Sequence, residues 1–330
     1  MTDRPAIIVI GASAGGVDAI SRLVAALPPD LNAALFIVLH IGAHKSQLPM
    51  LLSKSRDLPA THPNDGEPFR RGHIYVAPPD HHMVIADGLI RLTRGPRENW
   101  ARPAVDPLFR SAAHAYGSSV IGIVLTGNLN DGTAGLFEIK RHGGTTIVQD
   151  PADAVEPGMP RSALQHVAID HCLKLDDIPL LLTRLVAEAA PRIVIDDAAH
   201  GPTTAGREDM TEDYTLDGPV AVTCPDCGGA LRKSELGTLT QFRCHIGHVY
   251  TAEIMVAAQF AAMQYALGAA MRSLNERREV CRQMADKSRE AYDSGSAGQW
   301  AEAMREAEER TGVIRQLLER EWTHPPHLVS

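Results

Sequence analysis

Short apolar runs alternate with amphipathic stretches from residue 5 to residue 190. The runs read AIIVIG, AALFIVLH, GHIYVAPP, GLIRLT, SVIGIVLTG, GTTIVQD and HVAID. Most are β-branched and apolar at successive positions, the pattern of central parallel strands covered on both faces. The stretches between them, such as GGVDAISRLVAALP and PAVDPLFRSAAHAYG, place apolar residues at helical spacing and supply crossovers. This alternation predicts an α/β fold, a doubly wound, mostly parallel sheet with helices on both faces. One segment departs from it. HHMVIADGLIRLT reads as two short strands about Asp87-Gly88, an antiparallel excursion that would make the sheet mixed.

Past residue 195 the pattern changes. Residues 196–219 are acidic, carry Gly and Pro and have little to bury, which predicts a flexible linker. Residues 220–251 hold cysteines and histidines where a core would otherwise be. Residues 252–330 regain helical periodicity, broken by DSGSAGQ at 293–299, and predict a hairpin of one long and one shorter helix. The predicted organisation is therefore an α/β domain at 1–195, the linker at 196–219, a small ribbon at 220–251 and a helical hairpin at 252–330. The first helix of the hairpin, AEIMVAAQFAAMQYALGAAMRSL, is apolar on nearly all faces and so wants a partner. Packing on the shorter helix meets that need; a homodimer or a helical target is the alternative.

Composition narrows the class. The chain has 330 residues, 44% of them apolar and 22% charged, ordinary globular values. A net charge of −8 lacks the basic stripe of a nucleic-acid surface. Five cysteines do not make a disulfide scaffold, and three of them cluster, which points to a metal in a reducing compartment. The first strand begins close to the N-terminus, leaving no room for a signal peptide. No apolar run approaches the ~20 residues of a bilayer span. A cytoplasmic protein without membrane insertion is the expectation.

The chemistry concentrates in IVIGASAGGVDAI, an apolar strand entering a glycine-rich turn. A dinucleotide turn needs glycine where Ser13 stands, and an acidic residue where the second strand ends in His40. Gly11, Ser13 and Gly15 match the G-x-S-x-G nucleophile elbow instead. Serine needs a base, and His40 ends the strand expected beside the first. The other reading of Ser13 is a helix N-cap. Asp80, Asp131 and Asp150 all follow apolar strands, and position alone leaves all three open as the carboxylate that orients His40. His44, His81, His82 and Arg102 are further polar candidates for the cleft rim.

With these residues in place, residues 5–190 resemble the catalytic domain of the bacterial chemotaxis protein-glutamate methylesterases. The likeness is carried by IGASAGG, VLH, GHIYVAPPDHHM, RPAVDPLFRSAA, LTGNLNDGTAG and QDPADAVEPGMPRSA, in that order. The resemblance implies Ser13 as nucleophile, His40 as base and Asp131 as the third member, with no catalytic cofactor. It implies removal of methyl esters from glutamates of a chemoreceptor or related signalling protein, with deamidation of receptor glutamines as a second activity. A receptor methyltransferase is a further expected partner. Backbone N–H groups near Ala14 and Asn128 would form the oxyanion hole, and Arg102 would line the substrate site. Ala14 stands where the family often has Thr, and Asn128 where it commonly has Met. The N-terminal receiver domain typical of the family has no counterpart here, so control is expected from the C-terminal part or from partners. The competing reading is a catalytically weak docking scaffold.

The cysteines form their own motif. Cys224-x-x-Cys227 is a metal knuckle, Cys244 lies 17 positions later, and His248 follows with three residues between. A structural zinc held by Cys224, Cys227, Cys244 and His248 is predicted; His245, adjacent to Cys244, competes for the fourth place less favourably. Cys172 and Cys281 stand apart as core or helix residues.

Overall fold

The computed structural model describes residues 6–40, 46–53, 58–188, 219–291 and 293–320. The expected linker, all but its last residue, and His44 lie outside the described residues. The α/β region runs β1 (Ala6–Ala12), α1 (Gly16–Ala25), β2 (Ala33–Leu39), α2 (Leu48–Ser53), β3 (Ala60–Thr61) and β4 (His73–Val76). It continues with β5 (His82–Ala86), β6 (Leu89–Thr93), α3 (Val105–Tyr116), β7 (Val120–Val124), α4 (Thr133–Arg141), β8 (Thr145–Gln149), α5 (Gly158–His166), β9 (His171–Leu173) and α6 (Ile178–Glu188). The ribbon strands are β10 (Pro219–Thr223), β11 (Ala230–Leu236), β12 (Leu239–Cys244) and β13 (Val249–Thr251), and the long helices are α7 (Ala252–Glu290) and α8 (Ser294–Glu319).

Seven strands form one sheet in the order β3-β4-β2-β1-β7-β8-β9. Every pairing in it is parallel. Strands β1 and β2 are buried at every position, as their unbroken apolar sequences require. Ile8 and Ile10 face one layer with Ile20, Leu23 and Leu182 of α1 and α6. Ile7 and Val9 face the other, with Phe109, Leu136 and Met159 of α3, α4 and α5. The sheet is thus doubly wound. The chain builds β2, the edge strand β3 and then β4 between them on one side of β1, and returns to β7 on the other. The switch point therefore lies between β1 and β7, where open α/β sheets leave a crevice at their carboxyl ends.

The mixed sheet expected from HHMVIADGLIRLT is not formed. Among the described residues strands β5 and β6 form a separate two-stranded ribbon, joined by no ladder to the large sheet and bridged at Leu89 by Pro68. Met83, Ile85 and Ile90 are buried with α3 residues, so helix contact replaces sheet pairing. The turn is as read: Asp87 and Gly88 have φ of 51° and 75°, the left-handed pair of a type I′ hairpin. HVAID is not a strand either. Val167 closes α5 and is buried in the helical layer, and the edge strand forms four residues later at His171–Leu173.

The chain divides into two compact units, Met1–Met255 and Val256–Val329. The first includes the small antiparallel sheet β10-β11-β12-β13. Its β11–β12 turn packs Leu236 and Leu239 on Ala134 and Phe137 of α4. In the second unit α7 and α8 bury Cys281, Ala285, Ala297 and Ala307, and Arg278 reaches Glu308 at 3.7 Å. Of DSGSAGQ only the first residue, Asp293, stands outside a helix. Asp293 accepts the Ser296 N–H and starts α8 at Ser294. Helix α7 is also long and apolar enough to cross a membrane by length and composition, contrary to the expectation that no run reaches that length.

Candidate active site and metal cluster

Strand β1 ends at Ala12 and the chain turns at once. Gly15 takes φ 76° as the cap of α1. A Cβ there would lie 2.9 Å from that of Val155, so glycine is required for conformation and for space. The Ser13 N–H donates to Thr126 O at 3.0 Å, and Thr126 Oγ1 donates to Ala14 O at 2.9 Å. The turn after β1 is thereby tied to the loop after β7. The cap of α1 is Gly15, with no side-chain hydrogen bond, so the Ser13 hydroxyl does not serve as an N-cap.

His40 follows β2, and its N–H donates to Ala12 O at 3.2 Å. Ser13, Leu39 and His40 line one open cleft of about 650 Å³ with Gly15, Val17 and Leu51. His40 Nε2 lies 2.8 Å from Asp131 Oδ2. That contact leaves the other ring nitrogen, Nδ1, without a hydrogen bond among the described residues.

Asp131 sits in the β7–α4 loop and is 2% exposed. Its Oδ2 also accepts the Val105 N–H at 2.6 Å. Its Oδ1 accepts from Asn99 Nδ2 at 2.9 Å, Gly132 N at 3.0 Å and Asp106 N at 3.2 Å. Burial alone would raise this carboxyl, but the His40 ring, the Val105 N–H and the Asn99 amide together bring it below the usual carboxylate range. The neighbouring Asp106 behaves in the opposite way. Burial, and then the negative charge of Asp131, push its carboxyl well above the ordinary value. Asn99 spans the two, donating to Asp106 Oδ2 at 2.7 Å with the same amide nitrogen. Asn99 carries no motif signature in the sequence. Its one local cue is the left-handed φ of 50°, which Asn tolerates better than most residues.

The rival carboxylates are engaged elsewhere. Asp80 accepts from Arg102 Nε and Nη2 at 2.9 and 2.6 Å, which lowers its carboxyl, and Asp150 Oδ1 accepts the Ala152 N–H. Arg102 also donates to Gly95 O at 2.7 Å, so its guanidinium joins the β4–β5 and β6–α3 loops and is not among the described residues lining the Ser13 cleft. His82 is buried between Pro96 O and the Ala104 N–H, and burial lowers its pKa; His81 accepts from Arg94. Among the described residues the Ala14 and Asn128 N–H groups donate to no acceptor, and both residues are exposed beside Ser13 and Gly127. Gly127 is close-packed on the serine turn: a Cβ there would fall 2.8 Å from that of Ser13.

In the ribbon, Cys224, Cys227, Cys244 and His248 bring their ligand atoms within 4.8 Å of one another. Cys227 Sγ lies 3.6 Å from Cys244 Sγ, and His248 Nδ1 lies 3.4 Å from Cys244 Sγ and 3.6 Å from Cys224 Sγ. A tetrahedron with Zn–S of about 2.3 Å and Zn–N of about 2.1 Å has edges of about 3.5–3.8 Å, so the four atoms fit such an ion. His245 is not in the cluster; its ring packs on Gly229. His114, Glu138 and His142 form a second group of ligand type, but there Arg141 Nη2 lies 2.5 Å from the fully buried Glu138 carboxylate. An arginine already supplies the positive charge that a metal would bring.

A sequence model of the family described as CheB methylesterase matches residues 8–182. A relative in Leptospira interrogans is 38% identical over 180 residues, 54% of this chain and 93% of its own. A relative in Anaeromyxobacter dehalogenans, named protein-glutamate methylesterase/protein-glutamine glutaminase 2, is 39% identical over 183 residues. That alignment spans 55% of this chain and 54% of the relative. The crystal structure of the Thermotoga maritima CheB methylesterase catalytic domain aligns with a TM-score of 0.53 at 34% identity, covering 55% of this chain and 99% of that one.

Proposed function

The chain belongs to the CheB methylesterase family, and from that premise we propose that it hydrolyses glutamyl methyl esters of a chemoreceptor or related signalling protein at Ser13, releasing methanol. The observation that carries the assignment is the 2.8 Å pairing of His40 with Asp131 at the rim of the cleft that holds Ser13. His40 Nδ1 takes the Ser13 proton as Oγ attacks the ester carbonyl. Asp131 keeps the Nε2 proton and offsets the imidazolium charge. The free N–H groups of Ala14 and Asn128 receive the oxyanion. Collapse expels methoxide, which takes the proton from His40 and leaves as methanol. Water, deprotonated by the same nitrogen, then attacks the acyl-enzyme and restores Ser13 with a glutamate product. A glutamine side chain following the same path releases ammonia, which gives the second activity. The scaffold reading leaves the hydrogen bonding of Asp131 without a purpose. We place the protein in the cytoplasm, where its cysteines stay reduced.

The test is methanol release from receptors carrying labelled methyl groups. The full chain should release label in proportion to enzyme. A folded chain that releases none above buffer would refute the activity.

The same proposal gives the ribbon one structural zinc, held by Cys224, Cys227, Cys244 and His248. Four protein ligands leave no position for water, so the ion stabilises and does not catalyse. Metal analysis should find about one zinc per chain, and the Cys224→Ser/Cys227→Ser protein should hold none and melt lower. Full stability of a metal-free chain would exclude the site.

A further inference from the structure

Asp131 can orient His40 only while its own carboxylate is held in place. Five donors converge on its carboxylate, and one of them, Asn99, belongs to a loop that is itself held by the ribbon. The Asn99 N–H donates to Val249 O at 2.8 Å, and Glu98 pairs with Val249 as a parallel bridge. The Asn99 side-chain oxygen faces the Thr251 N–H at 3.4 Å. Asn130, which precedes Asp131 in the chain, accepts from the Thr251 hydroxyl at 2.7 Å and donates to Glu253 at 2.7 Å. Asn99, Asn130, Asp131 and Thr251 are all at least 95% buried. Lost bonds there cannot be replaced by bulk water. Among the described residues the ribbon contributes none of those that line the Ser13 cleft. Apart from the Thr238–His166 bond at 2.8 Å, its described polar bonds to the α/β region go to the loops on either side of Asp131's carboxylate, at Arg97–Asn99 and Asn130.

We propose that the last ribbon strand, through Val249 and Thr251, is a positioning element of the esterase site: it holds Asn99, which donates to Asp131, and Asn130, which fixes the backbone just before Asp131, and so keeps Asp131 against His40. The inference rests on the reading of Ser13, His40 and Asp131 as a triad. It makes an element outside the α/β sheet part of the support of that triad. Asn99 and Asn130 act through Asp131 and touch no substrate. Their effect should therefore fall on the chemical step and leave substrate binding alone.

The test uses the full chain and the bond between Thr251 and Asn130. Thr251→Val removes the hydroxyl at nearly constant volume. It should lower kcat about tenfold, the cost of one buried hydrogen bond, with KM unchanged. The downfield proton resonance of the His40–Asp131 pair, recorded at low temperature, should shift or broaden in the same protein. Thr251→Ser keeps the hydroxyl and should restore both. Asn130→Ala removes the bond from the other side and serves if the valine protein does not fold. The double variant should be no slower than the worse single one. A Thr251→Val or Asn130→Ala protein with wild-type kcat and an unmoved resonance would overturn the inference. An inactive wild-type chain would count against the proposed reaction alone, and the resonance would then decide the present inference.

Discussion

Ser13→Ala should reduce methyl ester hydrolysis by about 10⁴-fold or more, while the fold and the metal content stay as they are. The hydroxyl makes no N-cap bond, so its loss removes nothing that holds α1. The backbone bond from Ser13 N to Thr126 O remains in the alanine protein, and the turn should keep its shape. What disappears is the covalent route. Hydrolysis would then need a water placed by the cleft, with only the Ala14 and Asn128 N–H groups to stabilise charge. Steady-state methanol release, together with labelling by a serine-directed fluorophosphonate, checks both halves. Wild-type turnover by a folded alanine protein would remove Ser13 from the mechanism, and equal labelling of both proteins would do the same.

Asp131→Asn should cost about 10⁴-fold in kcat, as the analogous change does in unrelated serine triads. The reason can be read from the five hydrogen bonds. Three donors meet Oδ1, so the asparagine oxygen is drawn to that side. The amide nitrogen then faces the Val105 N–H and His40 Nε2. Two N–H groups oppose each other at Val105, and His40 must accept a hydrogen bond at Nε2. Its proton moves to Nδ1, the nitrogen that should take the serine proton, and the base is blocked. Thermal unfolding should also show a loss of stability, since a buried donor at Val105 goes unpaired. An asparagine variant within tenfold of wild-type kcat would show that His40 does not depend on this carboxylate.

Much of this protein was legible before its structure. The unbroken apolar runs at Ala6–Ala12 and Ala33–Leu39 marked central parallel strands, because residues covered on both faces leave no polar alternation. The serine turn was legible because a sharp bend needs small residues at fixed places, and Gly15 does take the left-handed conformation. The cysteine pairs were legible because metal geometry restricts spacing. Two readings failed where a helix outweighed local pattern. The β5–β6 hairpin alternates like a sheet member, yet its apolar face lies on α3. Val167 has the β-branched character of a strand residue, yet it closes α5. Propensity reports what a segment tolerates, and packing chooses among those states.

The limit is set by distance along the chain. Periodicity and spacing act over a few turns or strands, and within that range the sequence by itself determined the sheet class, the glycine-flanked serine turn, the histidine after the second strand and the cysteine cluster. Asn99 meets Asp131 across 32 residues, and Asn130 meets Thr251 across 121. No local pattern marks such pairs, since an asparagine in a loop looks the same whether it faces water or a buried carboxylate. Folding closes those separations and buries the polar groups together, which forces each to find a partner. Position along the chain left three aspartates open and the family resemblance named Asp131; the tertiary structure brings that carboxylate to His40 and alone shows that the ribbon stands behind it.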